Sequence, residues 1–322
     1  MINEIARNLF CVGLPLPQNP LKSINAYVIK GKNRNLIIDT GMNRPECREV
    51  LFPALNEMRV DMEKTDLFIT HLHADHFGLS GDLAVDGSKC YMSSLETAIV
   101  KGEKRWDDYL SFFSDNGFPV DALKESISRH PGVIFGPSRL VEITPVEDGQ
   151  MIEAGEYSLQ CIETPGHSPG HMCLYEAGKK ILFSGDHILF DITPNISYWP
   201  QMKDSLRSYL ASLDKVSNLD VTLVLPGHRS SWHNHVERIE ALKKHHRSRL
   251  DEAITALQDG DMTAYEVAPY ITWKIEYSDW EQFPIAQKFF AIGETVAHLQ
   301  YLENDGVVRS YREDGQIYYS LE

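Results

Sequence analysis

The chain lacks several features that broad protein classes require. Its longest apolar runs are strand-sized, so no transmembrane helix and no membrane partner are expected. No Cys-x-x-Cys pair occurs among Cys11, Cys47, Cys90, Cys161 and Cys173, which form an odd set in mostly apolar stretches. They read as inert core thiols of a reducing compartment, which points to the cytoplasm. Basic charge is scarce: 31 Lys and Arg stand against 46 Asp and Glu, a net charge of −15. Binding to a nucleic-acid backbone draws most of its affinity from neutralised phosphates, so nucleic acid is disfavoured as a partner. The one basic run, Lys243 to Arg249, lies in a helical stretch and reads as a solvated face. No Gly-rich phosphate loop is seen. The first ten residues mix acid and base without an apolar core, unlike a secretory signal. What remains, 322 residues with 43% hydrophobic and 24% charged side chains, is an ordinary globular composition of one or two domains.

Against this background stands Thr70-His71-Leu72-His73-Ala74-Asp75-His76, three imidazoles and a carboxylate in seven residues. It follows the apolar run Asp66 to Thr70, so a strand that ends there delivers the group together. In extended backbone, residues two apart point the same way, and His71 and His73 can grip one metal ion. Asp75 and His76 turn toward a second position nearby.

The same grammar recurs. Leu36-Ile37-Ile38 ends in Asp39, and Ser158 to Ile162 leads to His167 in a Pro/Gly turn. Ile181 to Gly185 ends in Asp186, and Val221 to Leu225 leads through Pro226-Gly227 to His228. Five times an apolar strand stops at a turn carrying Asp or His. Ligands gathered at strand ends make a metal site on a rigid sheet edge.

In identity and order these motifs resemble the metallo-β-lactamase superfamily over roughly residues 5–235. The resemblance implies an α/β fold, a four-layer αββα sandwich with a dinuclear metal site at one edge. It assigns His71, His73 and His167 to the first ion, and Asp75, His76 and His228 to the second. Asp186 would bridge them, and Asp39 would stand behind the ligands and orient one.

The ligand chemistry agrees. Imidazoles and carboxylates without thiolate suit zinc first, with iron or manganese as alternatives. Two divalent ions carry four positive charges; Asp75, Asp186 and a bridging hydroxide cancel three. The remaining charge lowers the pKa of bound water from 15.7 toward about 7 and polarises a carbonyl or phosphoryl oxygen. Relatives that cleave β-lactams commonly carry Cys where this chain has Asp186, and oxygen-reducing diiron relatives carry Glu where it has His73. The pattern is most similar to the glyoxalase II type of hydrolase. The expected function is hydrolysis of an ester-type bond, an acyl thioester or lactone of a small molecule, with Asp75 accepting the nucleophile's proton. Two rivals stand beside it: a phosphodiesterase or endoribonuclease on the same ions, and a winged-helix regulator whose metal site senses a ligand.

The texture changes near residue 235, dividing the chain into a catalytic domain (1–235) and a C-terminal domain (236–322). Helices are expected over Val236–Leu257, from Thr263 to about Tyr270 with a cap near Asp261, and over 284–303. A hairpin around Glu313-Asp314-Gly315 follows. Three helices and a hairpin resemble a winged-helix domain, yet residues 236–322 hold 9 basic and 16 acidic side chains. A helix seeking the major groove should not be acidic, so the expected use is structural, as a homodimer contact or as a wall of the cleft.

A helical insert, about 94–140, carries Trp106, Tyr109, Leu110 and Phe113 at helical spacing. Trp106 and Tyr109, with Phe190 and Tyr198 from the ring-rich loop after Asp186, are candidate substrate contacts, as is His187. His171 reads as a structural hydrogen-bonder. His233, His235, His245, His246 and His298 are expected at the surface.

Overall fold

In the computed structural model the described residues are 2–102, 106–274 and 279–322, the side chains of 106–108 excepted. The first sheet has seven strands in chain order: β1 (Ile2–Ala6), β2 (Leu9–Leu16), β3 (Lys22–Ile29), β4 (Asn35–Ile38), β5 (Thr65–Phe68), β6 (Cys90–Ser93) and β7 (Ile143–Val146). It is antiparallel from β1 to β4 and parallel from β4 to β7. The second sheet holds β8 (Met151–Ala154), β9 (Tyr157–Glu163), β10 (Met172–Glu176), β11 (Ile181–Gly185) and β12 (Leu223–Pro226), with β12 parallel to β11 at one edge. A hairpin of β13 (Val308–Glu313) and β14 (Gln316–Leu321) closes the chain. It turns at Asp314-Gly315, both at positive φ (47° and 83°), the geometry of a tight hairpin turn.

Side-chain alternation along the strands stacks the sheets. Leu67 and Ile69 face outward with Leu51 and Leu55 of helix α1 (Pro45–Glu57). Phe68 between them points inward, into a core shared with Leu159, Leu174 and Phe183 of the second sheet. On the far side, Cys173, Leu182 and Val224 pack against the remaining helices. The result is helix, sheet, sheet, helix: the four layers expected.

Between β5 and β7 lie α2 (Ala74–Phe77), α3 (Ser80–Leu83), α4 (Ser94–Lys101), α5 (Trp106–Asp115), α6 (Val120–Ser128) and α7 (Pro131–Ile134). α8 (Ser205–Ser217) precedes β12. α9 (His235–Leu257), α10 (Ala264–Val267) and α11 (Ile285–Asn304) build the C-terminal region. The α10 cap is Thr263, not Asp261: Thr263 and Glu266 exchange hydrogen bonds in a capping box, so the Thr-x-x-Glu spacing decides the start. α11 is buried along most of its length. Its Phe289, Ile292, Val296, Leu299 and Leu302 join Phe113 of α5 and Ile239 of α9 in one core that crosses residue 235. Each such side chain contributes about 1.5–3 kcal/mol. α11 thus packs as a structural helix of the core. His235, His246 and His298, expected at the surface, are also buried; their charged sequence neighbours concealed it.

Candidate metal centre

Parallel pairing brings the motif turns side by side. β4 beside β5 sets Asp39 against Thr70, and β11 beside β12 sets Asp186 against Gly227 and His228. The two sheets are stitched at this edge by Met172 N–H donating to the Thr70 carbonyl at 2.9 Å.

Four of the imidazoles are oriented by what Nδ1–H donates to. His167 gives it to the Asn195 carbonyl (2.8 Å), His228 to the Ser23 carbonyl (2.7 Å) and His76 to Asp39 Oδ2 (2.7 Å). His71 directs Nδ1 to the Thr70 hydroxyl at 3.1 Å, and that hydroxyl donates in turn to Asp39. The Nε2 lone pairs are thereby aimed into the centre. Asp39 sits at φ 59°, a left-handed backbone that costs a non-glycine residue about 1 kcal/mol or more. It also takes the Thr70 N–H at 2.9 Å, so one strained residue fixes both the β5 end and His76.

Two ligand groups result. His71 Nε2 and His167 Nε2 both face His73 Nδ1, at 2.9 and 3.0 Å. Three nitrogens about 2.0–2.1 Å from one zinc lie about 3.3 Å apart, so the trio closely fits a divalent ion. In the second group, His228 Nε2 lies 3.3 Å from Asp75 Oδ2 and 3.4 Å from Asp186 Oδ2, and His76 Nε2 lies 3.5 Å from Asp186 Oδ1. Asp186 Oδ2 is also 3.7 Å from His167 Nε2, which places this carboxylate between the groups. His76 Nε2, His228 Nε2 and Asp186 Oδ1 are buried without a hydrogen-bond partner. Orphaned atoms of this kind are costly unless they coordinate an ion, so the residues present fit a metal.

The electrostatics divide likewise. Burial and neighbouring imidazoles hold His71 neutral, His73 is pushed down to about 3, and His167 is also lowered by burial. On the other side burial is outweighed by carboxylates: those of Asp39, Asp186 and Asp75 hold His76 well above its ordinary value, and His228 rises to about 10. Burial opposes ionisation of Asp75 and Asp186, but His76 and His228 overcome it and keep both anionic, Asp75 at about 2. The second group demands positive charge.

All seven expected ligands converge, and Asp39 lies behind them. His171, buried, accepts the Asp186 N–H on Nε2 (3.1 Å) and so holds the bridging position. His187 does not line the cleft: it is fully buried, with its ring edge-on to Tyr209 at 5.3 Å. A residue after a buried strand end turns inward by default, and this one does. Phe190 is half-buried and stacks on Trp232 rather than on a ligand ring. Tyr109 and Tyr198 are half-buried; Tyr198 stacks on Phe112 of α5 with ring centroids 3.7 Å apart. The Trp106 side chain lies outside the described residues. The five cysteines are free, and burial raises the four buried thiols to about 11–12, far from ligation or reactivity.

Three residues escaped the sequence reading. Trp199 lies nearly parallel to His73 (5.9 Å, 25°) and donates Nε1–H to the His167 carbonyl at 3.1 Å. Glu96 of α4 is fully buried and accepts from Ser168 Oγ and from Gly170 N–H at 3.2 Å, beside the turn that carries His167. Burial raises its carboxyl to about 7. Asn195 acts through its main chain. A further cluster, His245, His246 and Glu294, also lies within ligand distance. There Glu294 is already engaged by Arg249 and Asn195, and the guanidinium opposes a cation.

Comparison with known proteins gives consistent results. Residues 19–228 match the family profile described as metallo-beta-lactamase superfamily, and residues 250–321 match the profile of the metallo-beta-lactamase-like C-terminal domain. The chain is 27% identical over 309 residues to "Probable metallo-hydrolase YqjP" of Bacillus subtilis, covering 91% of this chain and 92% of that one. It is 26% identical over 221 residues to the human acyl-coenzyme A thioesterase MBLAC2, covering 65% and 74%. A crystal structure of a metallo-beta-lactamase family protein from Thermus thermophilus superposes with a TM-score of 0.85 at 26% identity, over 99% of this chain and 100% of that one. No helix among the described residues is long and apolar enough to cross a membrane.

Proposed function

The chain belongs to the metallo-β-lactamase superfamily and is a metal-dependent hydrolase, and we propose that it cleaves acyl thioesters of small molecules. His71, His73 and His167 would hold one divalent ion, and Asp75, His76 and His228 a second, with Asp186 shared. Zinc suits the donor set best, then iron or manganese. Ions held there supply Lewis-acid polarisation of the carbonyl oxygen and water activated near neutral pH.

The chain's own residues do the rest. Asp75, anionic and beside His228, accepts the proton of the attacking water. Asp186, held through its N–H by His171, keeps the two ligand groups in register. The aromatic wall in which Tyr109 meets both Tyr198 and Trp199 edge-on, with Trp199 beside His73, supplies an apolar seat for the acyl group.

The observation that carries the choice of bond is the spending of donors. The Nδ1–H groups of His76, His167, His228 and His171 are committed to Asp39, Asn195, Ser23 and Thr164. Both carboxylates are anionic. Apart from the proton that Asp75 takes up, the site thus offers little to a departing group, and a thiolate, with a conjugate acid at about 8.5, needs none, whereas an amide nitrogen must be protonated. The name of the human relative, an acyl-coenzyme A thioesterase, supports the same class.

The test is a panel of acyl thioesters of varied chain length, lactones, bis-p-nitrophenyl phosphate and RNA, run on protein whose metals have been quantified. Thioesters are expected to give the highest kcat/KM, and Asp186→Ala to abolish turnover. A lactone or phosphodiester turned over faster than every thioester would refute the assignment.

A further inference from the structure

Among the described residues, His167 is the ligand of the first group hydrogen-bonded to a loop carbonyl that the C-terminal region holds in place. Its Nδ1–H donates to the main-chain carbonyl of Asn195, in the loop between β11 and α8. That carbonyl is placed by the Asn195 side chain, whose amide donates to Glu294 Oε2 at 2.7 Å and to the Phe290 carbonyl at 3.4 Å, both on α11. Glu294 Oε1 is taken by the Arg249 guanidinium of α9. Arg249 is held in its turn by the Thr272 carbonyl (3.3 Å) and by the face of Trp273, 4.3 Å from its ring centre. Glu294 and Arg249 are both buried.

Two more contacts clamp the same loop to the same helix. Tyr198 N–H donates to the Gly293 carbonyl at 3.0 Å. A Cβ at Gly293 would run into Ser197 Oγ, so glycine lets the Ser197 side chain sit against α11 as it does.

A buried ion pair is a poor source of stability, because removing both charges from water offsets their attraction. What it provides here is a fixed carboxylate oxygen at the point where the Asn195 amide must be held. We propose that Arg249, Glu294 and Asn195 form a positioning relay through which the C-terminal region sets the direction of the His167 lone pair and thereby the affinity of the first metal position. The C-terminal region is then part of the metal centre, although it contributes no ligand. The inference rests on His167 being a ligand of the first ion.

The test compares Asn195→Ala with Glu294→Gln, which keeps a neutral acceptor for the Asn195 amide, and with the unaltered full-length chain. Stepwise metal titration against a competing chelator reads the two positions separately, and the imidazole N–H resonance of His167, assigned by its loss in His167→Ala, is followed in metal-free protein. Asn195→Ala is expected to weaken the first ion by about 10–100-fold, the range for partners that orient ligands, while the second ion changes by less than about twofold. Its His167 N–H resonance should shift or broaden, whereas Glu294→Gln, with the Asn195 amide still held, should keep most of the affinity. Equal weakening of both ions would mean general damage to the fold and would overturn the relay. Unchanged first-ion affinity with an unchanged His167 resonance would overturn it as well. If instead His167→Ala left metal uptake intact, the metal assignment itself would fall, and the relay with it.

Discussion

Gly227 is where a single methyl group meets the metal centre most directly. Its N–H donates to the Gly185 carbonyl (2.8 Å) and its carbonyl accepts from Asn25 N–H (2.7 Å), so its backbone is pinned on both sides. A Cβ built there would lie 2.5 Å from Asp186 Oδ1 and 2.7 Å from His76 Cε1, where ordinary contact begins at 3.4 Å. In Gly227→Ala the backbone cannot retreat, so Asp186 and His76 must move by about 0.7–0.9 Å. Misplacement on the order of 1 Å costs about 100-fold in rate, or about 2.7 kcal/mol of transition-state stabilisation. Overpacking should also destabilise the fold by about 1–3 kcal/mol. The assay is kcat on the best thioester, metal content and thermal midpoint, beside the control Gly13→Ala, where a Cβ meets nothing within 4 Å. Gly227→Ala is expected to lose about two orders of magnitude in kcat together with metal in the second position, and Gly13→Ala neither. A Gly227→Ala enzyme with more than half of the normal kcat and full metal content would refute the reasoning.

Glu96, raised from 4.5 to about 7 by burial, is better accommodated protonated than charged. Its contribution is fully present below pH 4.5 and is lost as pH rises through about 7, a change of roughly 3 kcal/mol. Glu96→Gln should remove that slope: in metal-free protein, denaturant midpoints at pH 5 and pH 8 should show the variant gaining on the original at the higher pH, and parallel profiles would contradict it. Tyr109→Ala should raise KM for long-chain thioesters several-fold by removing apolar surface, with kcat and metal content nearly unchanged; a loss confined to kcat would place Tyr109 in the chemistry instead.

The parts of the molecule legible in the sequence are those in which a local pattern and its physical consequence coincide. The ends of β4, β5, β9, β11 and β12 were visible because apolar runs stop at turns carrying Asp or His, and the parallel pairs β4 with β5 and β11 with β12 bring their ends together. The His71 to His76 spacing is itself a ligand geometry. Other features act over distances that no local pattern encodes. Asn195 serves through a carbonyl that any residue possesses, so its type carries no signal of that use. Glu96 reads as an ordinary acid of an amphipathic helix until the fold buries it against Ser168 and Gly170. His187 follows Asp186 in sequence, yet the chain turns it into the core. Packing of the insert's Phe113 on Phe289, at 4.7 Å, joins segments far apart in the chain, and the apolar core consequently runs across the change of texture at residue 235.

The central claim is that buried imidazoles and carboxylates from four turns hold divalent metal for hydrolysis. Its most direct test is to strip the protein with a chelator, add metal back in measured equivalents, and follow thioester hydrolysis against bound metal. Hydrolysis should vanish with the metal and return in proportion as two equivalents are bound. Full turnover by the stripped protein would contradict the account.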